Sequence, residues 1–195
     1  MRRIVLASGN RGKLAEFAQL FAGSGIGLVA QGELGVGEVE ETAATFVENA
    51  LLKARHAARV TGLPALADDS GLCVEALGGA PGVYSARYAG EPKSDTRNNE
   101  KLLADLADQA DRRAHFVSLI VFVRHADDPQ PIIAEGEWHG EIVDQHRGDG
   151  GFGYDPLFFV PEFGKTAAEL DADTKNRVSH RGRAMQKLIE RLPEL

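Results

Sequence analysis

The stretch that most constrains the fold is AHFVSLIVFVR, at residues 114–124. Apolar, β-branched and aromatic residues follow one another here without regular alternation with polar ones. Such a continuous run is typical of a strand that is buried on both faces, in the interior of a sheet. We therefore predict that this segment forms a central strand.

Helices and strands alternate in the first half of the chain. RIVLA at 3–7 predicts a short buried strand, and apolar residues at helical spacing predict a helix over about 13–23. A second helix is predicted after residue 42 and extends to about residue 62. NNEKLLADL, at 98–106, predicts a short third helix.

Segments rich in strand residues dominate the remainder. PALADDSGLCVEAL at 64–77 predicts a strand that ends in two acids, then a turn and a further strand, and PIIAEGEWHGEIV at 131–143 predicts two strands around a turn. GGAPGVYSARYAG at 78–90 predicts a loop, and KNRVSHRGRAMQKLIERL at 175–192 predicts one helix. Together these elements predict an α/β fold in which helices pack around a mixed β-sheet.

Length and charge limit the classes of protein that this chain can be. Its 195 residues suffice for one large domain over 1–195, and its formal net charge of −7 disfavours nucleic acid and anionic membranes as partners. The single cysteine, Cys73, excludes an intrachain disulfide framework. No apolar run approaches the ~18 residues that span a bilayer, and the N-terminal run is too short for a secretory signal, so we expect a cytoplasmic protein.

SGNRGK, at 8–13, connects the first strand to the first helix. A glycine-containing turn at a helix start presents free backbone N–H groups to an anion such as a phosphate. Ser8, Asn10 and Lys13 add a hydroxyl, an amide and an ammonium group to the same place. The spacing matches neither a Walker A loop nor a dinucleotide-binding turn, and an ordinary helix N-cap is equally open.

Two neighbouring acids, Asp68 and Asp69, follow an apolar segment. Side chains alternate along a strand, so we expect the two carboxylates to point in opposite directions. Asp69, paired with an acid from EVEETAATF before the second helix, would suit a hard cation that prefers oxygen ligands. The alternative is an Asp-Ser-Gly turn that is capped by its own side chain.

Two further segments carry candidate binding residues. Residues 175–191 are strongly basic in an acidic chain, which fits either a polyanionic ligand or a solvated helix surface, and His180 and Arg181 suit a phosphate or a base edge. In GGFGYDP, at 150–156, an aromatic ring can stack on a base and the aspartate can accept from a ring N–H. Equally, the two aromatic residues of that segment can belong to the core.

Several long segments, in the same order along essentially the whole chain, resemble the inosine/xanthosine triphosphate pyrophosphatase family. These segments are LASGNRGKLAEF, EETAATFVENALLKARHAA, LADDSGLCVEALGGAPGVYSARYAG, GGFGYDPLFFVPEFGKTAAEL and KNRVSHRGRAM. The resemblance implies hydrolysis of dITP, ITP or XTP to the monophosphate and pyrophosphate, with Mg²⁺ as cofactor. It also implies a long mixed β-sheet with flanking helices that forms two lobes around a central substrate cleft, and a homodimer.

The same resemblance implies roles for individual residues. Asp69 matches the general base and a metal ligand. Glu40 matches the second metal ligand, and Glu41 is the alternative for that role. Lys53 is a plausible further phosphate contact. The other matched positions are implied to bind substrate: Ser8, Gly9, Asn10, Arg11, Gly12, Lys13, Ser70, Phe152, Gly153, Tyr154, Asp155, Lys175, His180 and Arg181.

Two other functions stay open at this point. One is a pyrophosphatase for other modified nucleotides, similar to the Maf proteins, which a panel of substrates would distinguish. The other is a nucleotide-binding module without catalysis, for which the same turn and basic segment would suffice. In that module, replacing Asp69 by asparagine would leave function intact.

Overall fold

Within residues 2–192, which the computed structural model describes, seven strands form one mixed sheet. The strands are β1 (Arg2–Leu6), β2 (Ile26–Ala30), β3 (Ala65–Val74), β4 (Arg113–Val123), β5 (Ile132–Ile142), β6 (Phe158–Val160) and β7 (Lys165–Thr166). Their order is β2-β1-β3-β4-β5-β6-β7, so β4 is the central strand, as its apolar sequence predicts. Strand β1 pairs in parallel with β2 and β3, whereas β6 pairs antiparallel with β5 and β7.

Five α-helices lie in this described part of the chain. They are α1 (Arg11–Leu20), α2 (Phe46–Thr61), α3 (Asp95–Asp105), α4 (Ala172–Val178) and α5 (His180–Ile189). A side chain caps each of the first four, since Asn10, Thr45, Ser94 and Asp171 each accept a backbone N–H from the first turn. The predictions of the first strand and the first three helices are therefore confirmed. No helix within residues 2–192 has the length and apolar character needed to cross a membrane.

Three predictions of local structure are wrong. β3 continues without a turn through Asp68 and Asp69, because pairing in the interior of the sheet outweighs the turn propensity of Asp-Ser-Gly. β5 likewise is one strand and not two. The C-terminal helix is broken at Ser179, whose extended backbone (φ −68°, ψ 162°) separates α4 from α5. The sequence reading also missed β2, and it missed the short 3-10 helix Gly82–Arg87 inside the predicted glycine-rich loop.

The chain divides into two compact units, and the first comprises residues 2–69, 118–136 and 181–192. One part of its core is formed by β1, α1, β4 and α5, and its buried members include Ile4, Phe17, Phe122, Met185 and Leu188. The other part contains the small-residue face of α2, with Ala50, Ala54, Ala57 and Ala58 buried together with Val5 and Val121. This packing fixes β1, which leads into the 8–13 turn, and α2, which carries Lys53.

The second unit comprises residues 70–117 and 137–180. Its core contains Leu72, Leu102, Phe116, Trp138 and Phe158. Position 140, inside strand β5, requires a glycine, because a Cβ there would lie 2.4 Å from the carbonyl oxygen of Phe159 on β6. The assignment of 1–195 as one domain with two lobes around a cleft stays a prediction.

Candidate active site

The turn between β1 and α1 is built by its own side chains. The Ser8 hydroxyl accepts the N–H of Asn10 at 3.2 Å, and the Asn10 side chain accepts the N–H of Lys13 at 3.1 Å. The predicted N-cap is therefore present, and Arg11 and Gly12 form the first turn of α1. A Cβ on Gly9 would lie only 2.6 Å from Oε1 of Glu38, so a carboxylate of the 36–44 loop lies close to this turn.

Asp68 is a fully buried carboxylate of the first unit. Its Oδ2 lies 2.6 Å from the ammonium of Lys13 and 3.6 Å from the guanidinium of Arg181, and its Oδ1 accepts from the Ser118 hydroxyl at 2.5 Å. Burial alone would raise the pKa of this carboxyl, but Lys13 and Arg181 outweigh burial and hold it well below its usual range. Burial lowers the pKa of Lys13, although the Asp68 charge opposes that shift.

Lys53 of α2 connects two carboxylates in the same unit. Its ammonium lies 2.9 Å from Oδ1 of Asp69 and 2.5 Å from Oε1 of Glu41, and it donates to the carbonyl of Asp68 at 3.0 Å. Burial would lower the pKa of Lys53, but the Asp69 and Glu41 charges raise it overall. The two neighbouring aspartates thus contact different lysines, in agreement with the alternation of side chains along β3.

Asp69 has the properties of a reactive carboxylate. Its Oδ2 is buried, and no residue in the described part of the chain donates a hydrogen bond to it. Burial raises the pKa of Asp69 above its ordinary value; Lys53 and Lys13 oppose this shift, and Glu41 adds to it. A buried oxygen without a donor carries a desolvation penalty, and such an atom is a candidate for contact with a ligand or a water.

Glu41 and Glu40 lie side by side in sequence but in different environments. Glu41 is partly buried and shares Lys53 with Asp69, whereas Glu40 is exposed. No group of three or more His, Cys, Asp or Glu side chains within residues 2–192 is arranged to hold a metal ion. Of the two glutamates, Glu41 is therefore the one that the structure links to Asp69.

Arg181 begins the basic side of α5. Its guanidinium is buried, forms an ion pair with Glu16 of α1, and approaches Asp68. Glu16 was not singled out from the sequence, although it lies one helical turn after Lys13 and on the same side of α1. The break at Ser179 places Arg181 on a different helix from Arg177 of α4, although one helix was predicted over both.

The second unit groups the residues of the GGFGYDP segment with Lys175. The Lys175 ammonium lies 2.8 Å from Oδ2 of Asp155 and 5.1 Å from the centre of the Phe152 ring. The same Asp155 oxygen accepts the N–H of Phe152 at 2.9 Å. Tyr154 is a core residue, buried with its hydroxyl donated to the carbonyl of Ser85 at 2.8 Å. Phe152, which is only partly buried, is the aromatic residue of this segment that retains an accessible surface.

His180 and Ser70 complete the predicted set. The His180 imidazole is buried and stacks on Phe116, with ring centres 4.8 Å apart and an interplanar angle of 14°. Ser70 follows Asp69 directly on β3 and is partly buried. The structure therefore brings Lys13, Lys53 and Arg181 together around the two aspartates in one unit. It brings Phe152, Asp155 and Lys175 together in the other.

A mixed sheet with a capped turn at a helix start and a buried cluster of lysines and aspartates is typical of α/β proteins that bind phosphorylated ligands. Comparison with known proteins specifies this class further. The chain belongs to the Ham1 family, whose sequence model matches residues 4–191.

Individual relatives match over nearly their whole length. A protein of Ralstonia nicotianae described as a dITP/XTP pyrophosphatase is 67% identical over 195 residues, covering 98% of this chain and 97% of the relative. A Nitrosomonas europaea protein with the same description is 61% identical over 194 residues, covering 100% of this chain and 96% of the relative. The structure of a HAM1 protein from Coxiella burnetii superposes with a TM-score of 0.93 at 51% identity and covers 100% of both chains. The resemblance found in the sequence and the α/β fold are confirmed.

Proposed function

We infer that this chain hydrolyses deaminated purine nucleoside triphosphates, such as dITP and XTP, to the nucleoside monophosphate and pyrophosphate. The observation that carries this inference is the Asp69 carboxylate, with one oxygen on Lys53 and the other buried without a donor in the described residues. The relatives at 61% and 67% identity that are described as dITP/XTP pyrophosphatases support it. The reaction removes non-standard purine nucleotides from the cellular pool.

The lysine–aspartate cluster of the first unit is proposed to act on the phosphates. Lys13, Lys53 and Arg181, with the N–H groups of the 8–13 turn, supply the hydrogen-bond donors that a triphosphate requires. The carboxylates paired with these cations balance their charge in the structure. Asp69 orients a water molecule for in-line attack on the α-phosphorus and takes its proton. The bond from the α-phosphorus to the bridging oxygen breaks, and pyrophosphate leaves. Because its pKa is raised, Asp69 is a stronger base than an ordinary aspartate.

Mg²⁺ is the proposed cofactor, and one or two carboxylates suffice for it because it usually takes further oxygen ligands from substrate phosphates and water. Asp69 offers a buried carboxylate oxygen without a hydrogen-bond donor among the described residues, and hard cations prefer such oxygen ligands. Asp69 would hold the ion together with Glu40, as the resemblance implies, or with Glu41. Glu41 and Asp69 both form an ion pair with Lys53. When bound, the ion supplies positive charge that balances the triphosphate.

The second unit is proposed to bind the base. Phe152 offers its accessible ring for stacking, and Asp155, neutralised by Lys175, fixes the backbone of the loop at residue 152. Gly153 and Tyr154 shape this loop, and Ser70 contacts the substrate next to Asp69. His180 and backbone N–H groups are proposed to donate to the O6 oxygen that distinguishes hypoxanthine and xanthine from adenine.

We also propose that the chain works as a homodimer in the cytoplasm. Its substrate is a small molecule, since the net charge of −7 opposes binding to nucleic acid. Gel filtration with light scattering measures the dimer directly, and a mass of one chain at micromolar concentration would rule it out.

A panel of nucleotides tests the proposed function. With released pyrophosphate as the readout, kcat/KM for dITP and XTP is expected to exceed that for dATP by about a hundredfold or more. The reason is that a site built to hydrogen-bond one group strongly rejects a substrate that lacks it. A higher kcat/KM for dUTP or a methylated pyrimidine triphosphate would instead support the Maf-like alternative.

A further inference from the structure

Two side chains of α3 hold both backbone polar groups of Gly153. Oδ2 of Asp95 accepts the Gly153 N–H at 2.8 Å, and Nδ2 of Asn99 donates to the Gly153 carbonyl at 3.0 Å. The two residues are one helical turn apart and so lie on one side of α3. They are 58 and 54 residues away from Gly153 in the sequence, so these contacts belong to the tertiary fold.

Gly153 is a position at which the loop needs such support. Its φ of +63° lies in the left-handed region, and a glycine there has the greatest backbone freedom. The residues next to it are already fixed, because the Phe152 N–H donates to Asp155 and the Tyr154 hydroxyl donates to the Ser85 carbonyl. The α3 contacts therefore restrict the one remaining flexible residue between Phe152 and Tyr154.

The helix that makes these contacts is itself anchored. Asn98 donates through Nδ2 to the carbonyls of Ser85 and Ala86, and its Oδ1 accepts the N–H of Ala89 at 2.8 Å. Asn99 is 3% exposed, and its Oδ1 receives no hydrogen bond from any residue between 2 and 192. A buried acceptor without a donor lowers stability, so a contribution to folding alone does not explain why an asparagine stands at position 99.

We propose that Asp95 and Asn99 are positioning residues for base recognition, which hold the Phe152 ring in its binding orientation by fixing Gly153. This proposal rests on the proposed function, in which Phe152 stacks on the purine. Both residues belong to the second unit, whereas the residues proposed to bind the phosphates belong to the first, so both are expected to act on substrate affinity and on discrimination between bases. The chemical step, which depends on Asp69, is unaffected.

Steady-state kinetics with dITP test the proposal. Asp95→Ala is expected to raise KM about tenfold, the size of one hydrogen bond to a charged acceptor, with kcat changed by less than about twofold. Asp95→Asn keeps an oxygen acceptor and is expected to restore KM to within about threefold of the wild type. Glu100→Ala, on the exposed side of the same helix, is the matched control and is expected to change neither constant.

A double-mutant cycle with Phe152→Ala shows whether Asp95 acts on KM through Phe152. If Asp95 acts through Phe152, Asp95→Ala is expected to have little further effect on KM once Phe152 is alanine. Full additivity of the two substitutions, or a fall in kcat equal to the rise in KM, would overturn the proposal. An unchanged KM in Asp95→Ala alongside a raised KM in Phe152→Ala would overturn it as well, while leaving the proposed function intact. An unchanged KM in Phe152→Ala would instead refute the proposed base site, and the inference with it.

Asn99→Ala provides a second variant for the case in which Asp95→Ala is poorly folded. It removes the contact to the Gly153 carbonyl and the buried oxygen without a donor at once. We expect KM for dITP to rise severalfold, while the melting temperature stays close to that of the wild type. A lower melting temperature with an unchanged KM would show a structural role only and would overturn the proposal.

Discussion

The Asp69→Asn variant is expected to lose hydrolysis of dITP by about a thousandfold while it still binds the nucleotide. An amide has nearly the shape of the carboxylate but cannot take a proton from the attacking water. The substitution also removes the negative charge that pairs with Lys53 and would bind the proposed Mg²⁺. Released pyrophosphate measures turnover, and isothermal titration with dITP measures binding.

An exposed acid in the same unit provides the control for this result. Asp127→Asn removes a carboxylate that is 89% exposed and is expected to leave kcat and KM unchanged. Retention of full activity in Asp69→Asn would favour a different catalytic residue. Absence of pyrophosphate release in the wild type, together with equal dITP binding in both proteins, would favour the non-catalytic binding module.

The Asp68→Asn variant is expected to lower the free energy of unfolding by about 3–5 kcal/mol. The Asp68 carboxyl is fully buried and faces both Lys13 and Arg181. Without it, these cations are left in the interior of the first unit without their shared counter-ion. Urea denaturation followed by circular dichroism measures the change, and Asp127→Asn is again the control.

The pH dependence of stability provides a second measurement on Asp68. Its folded-state pKa is lowered, chiefly because Lys13 and Arg181 outweigh the effect of burial. Its contribution to stability is therefore present above the ordinary aspartate pKa of about 3.9 and is lost as the pH falls below that value. The difference in stability between the wild type and Asp68→Asn is expected to shrink below about pH 4. A difference that stays constant from pH 7 to pH 3 would show that the charge of Asp68 is not the cause.

Local sequence patterns predicted the elements whose stability is largely local. The β1–α1 junction, α2 and α3 each combine a helical repeat with a capping residue, and β4 is continuously apolar. β3 and β5 could not be predicted in the same way, because each contains a segment that favours a turn in isolation. These segments are extended because they pair with neighbouring strands, whose residues are distant in sequence.

The residues of the candidate site likewise divide into those with a local sequence signal and those without one. The motif residues were predicted from the sequence: the 8–13 turn points to Lys13, the acids after an apolar segment point to Asp69, and the family resemblance points to both and also to Lys53. The partners of the neighbouring Asp68 and Arg181 were not predicted: Ser118 lies 50 residues from Asp68, and Glu16 lies 165 residues from Arg181. Such partners have no local pattern, and the ion pair between Lys53 and Glu41 likewise depends on the position of Lys53 on α2.

The core of the first unit has a consequence for how the chain folds as it is synthesised. Phe17 of α1 is buried in the same cluster as Met185 and Leu188 of α5. A ribosome releases α1 long before α5, so this core cannot close until nearly the whole chain has emerged. The faces of β1 and α1 that pack on α5 are not covered by it during that interval. Nascent chains are therefore expected to depend on chaperones until α5 is available.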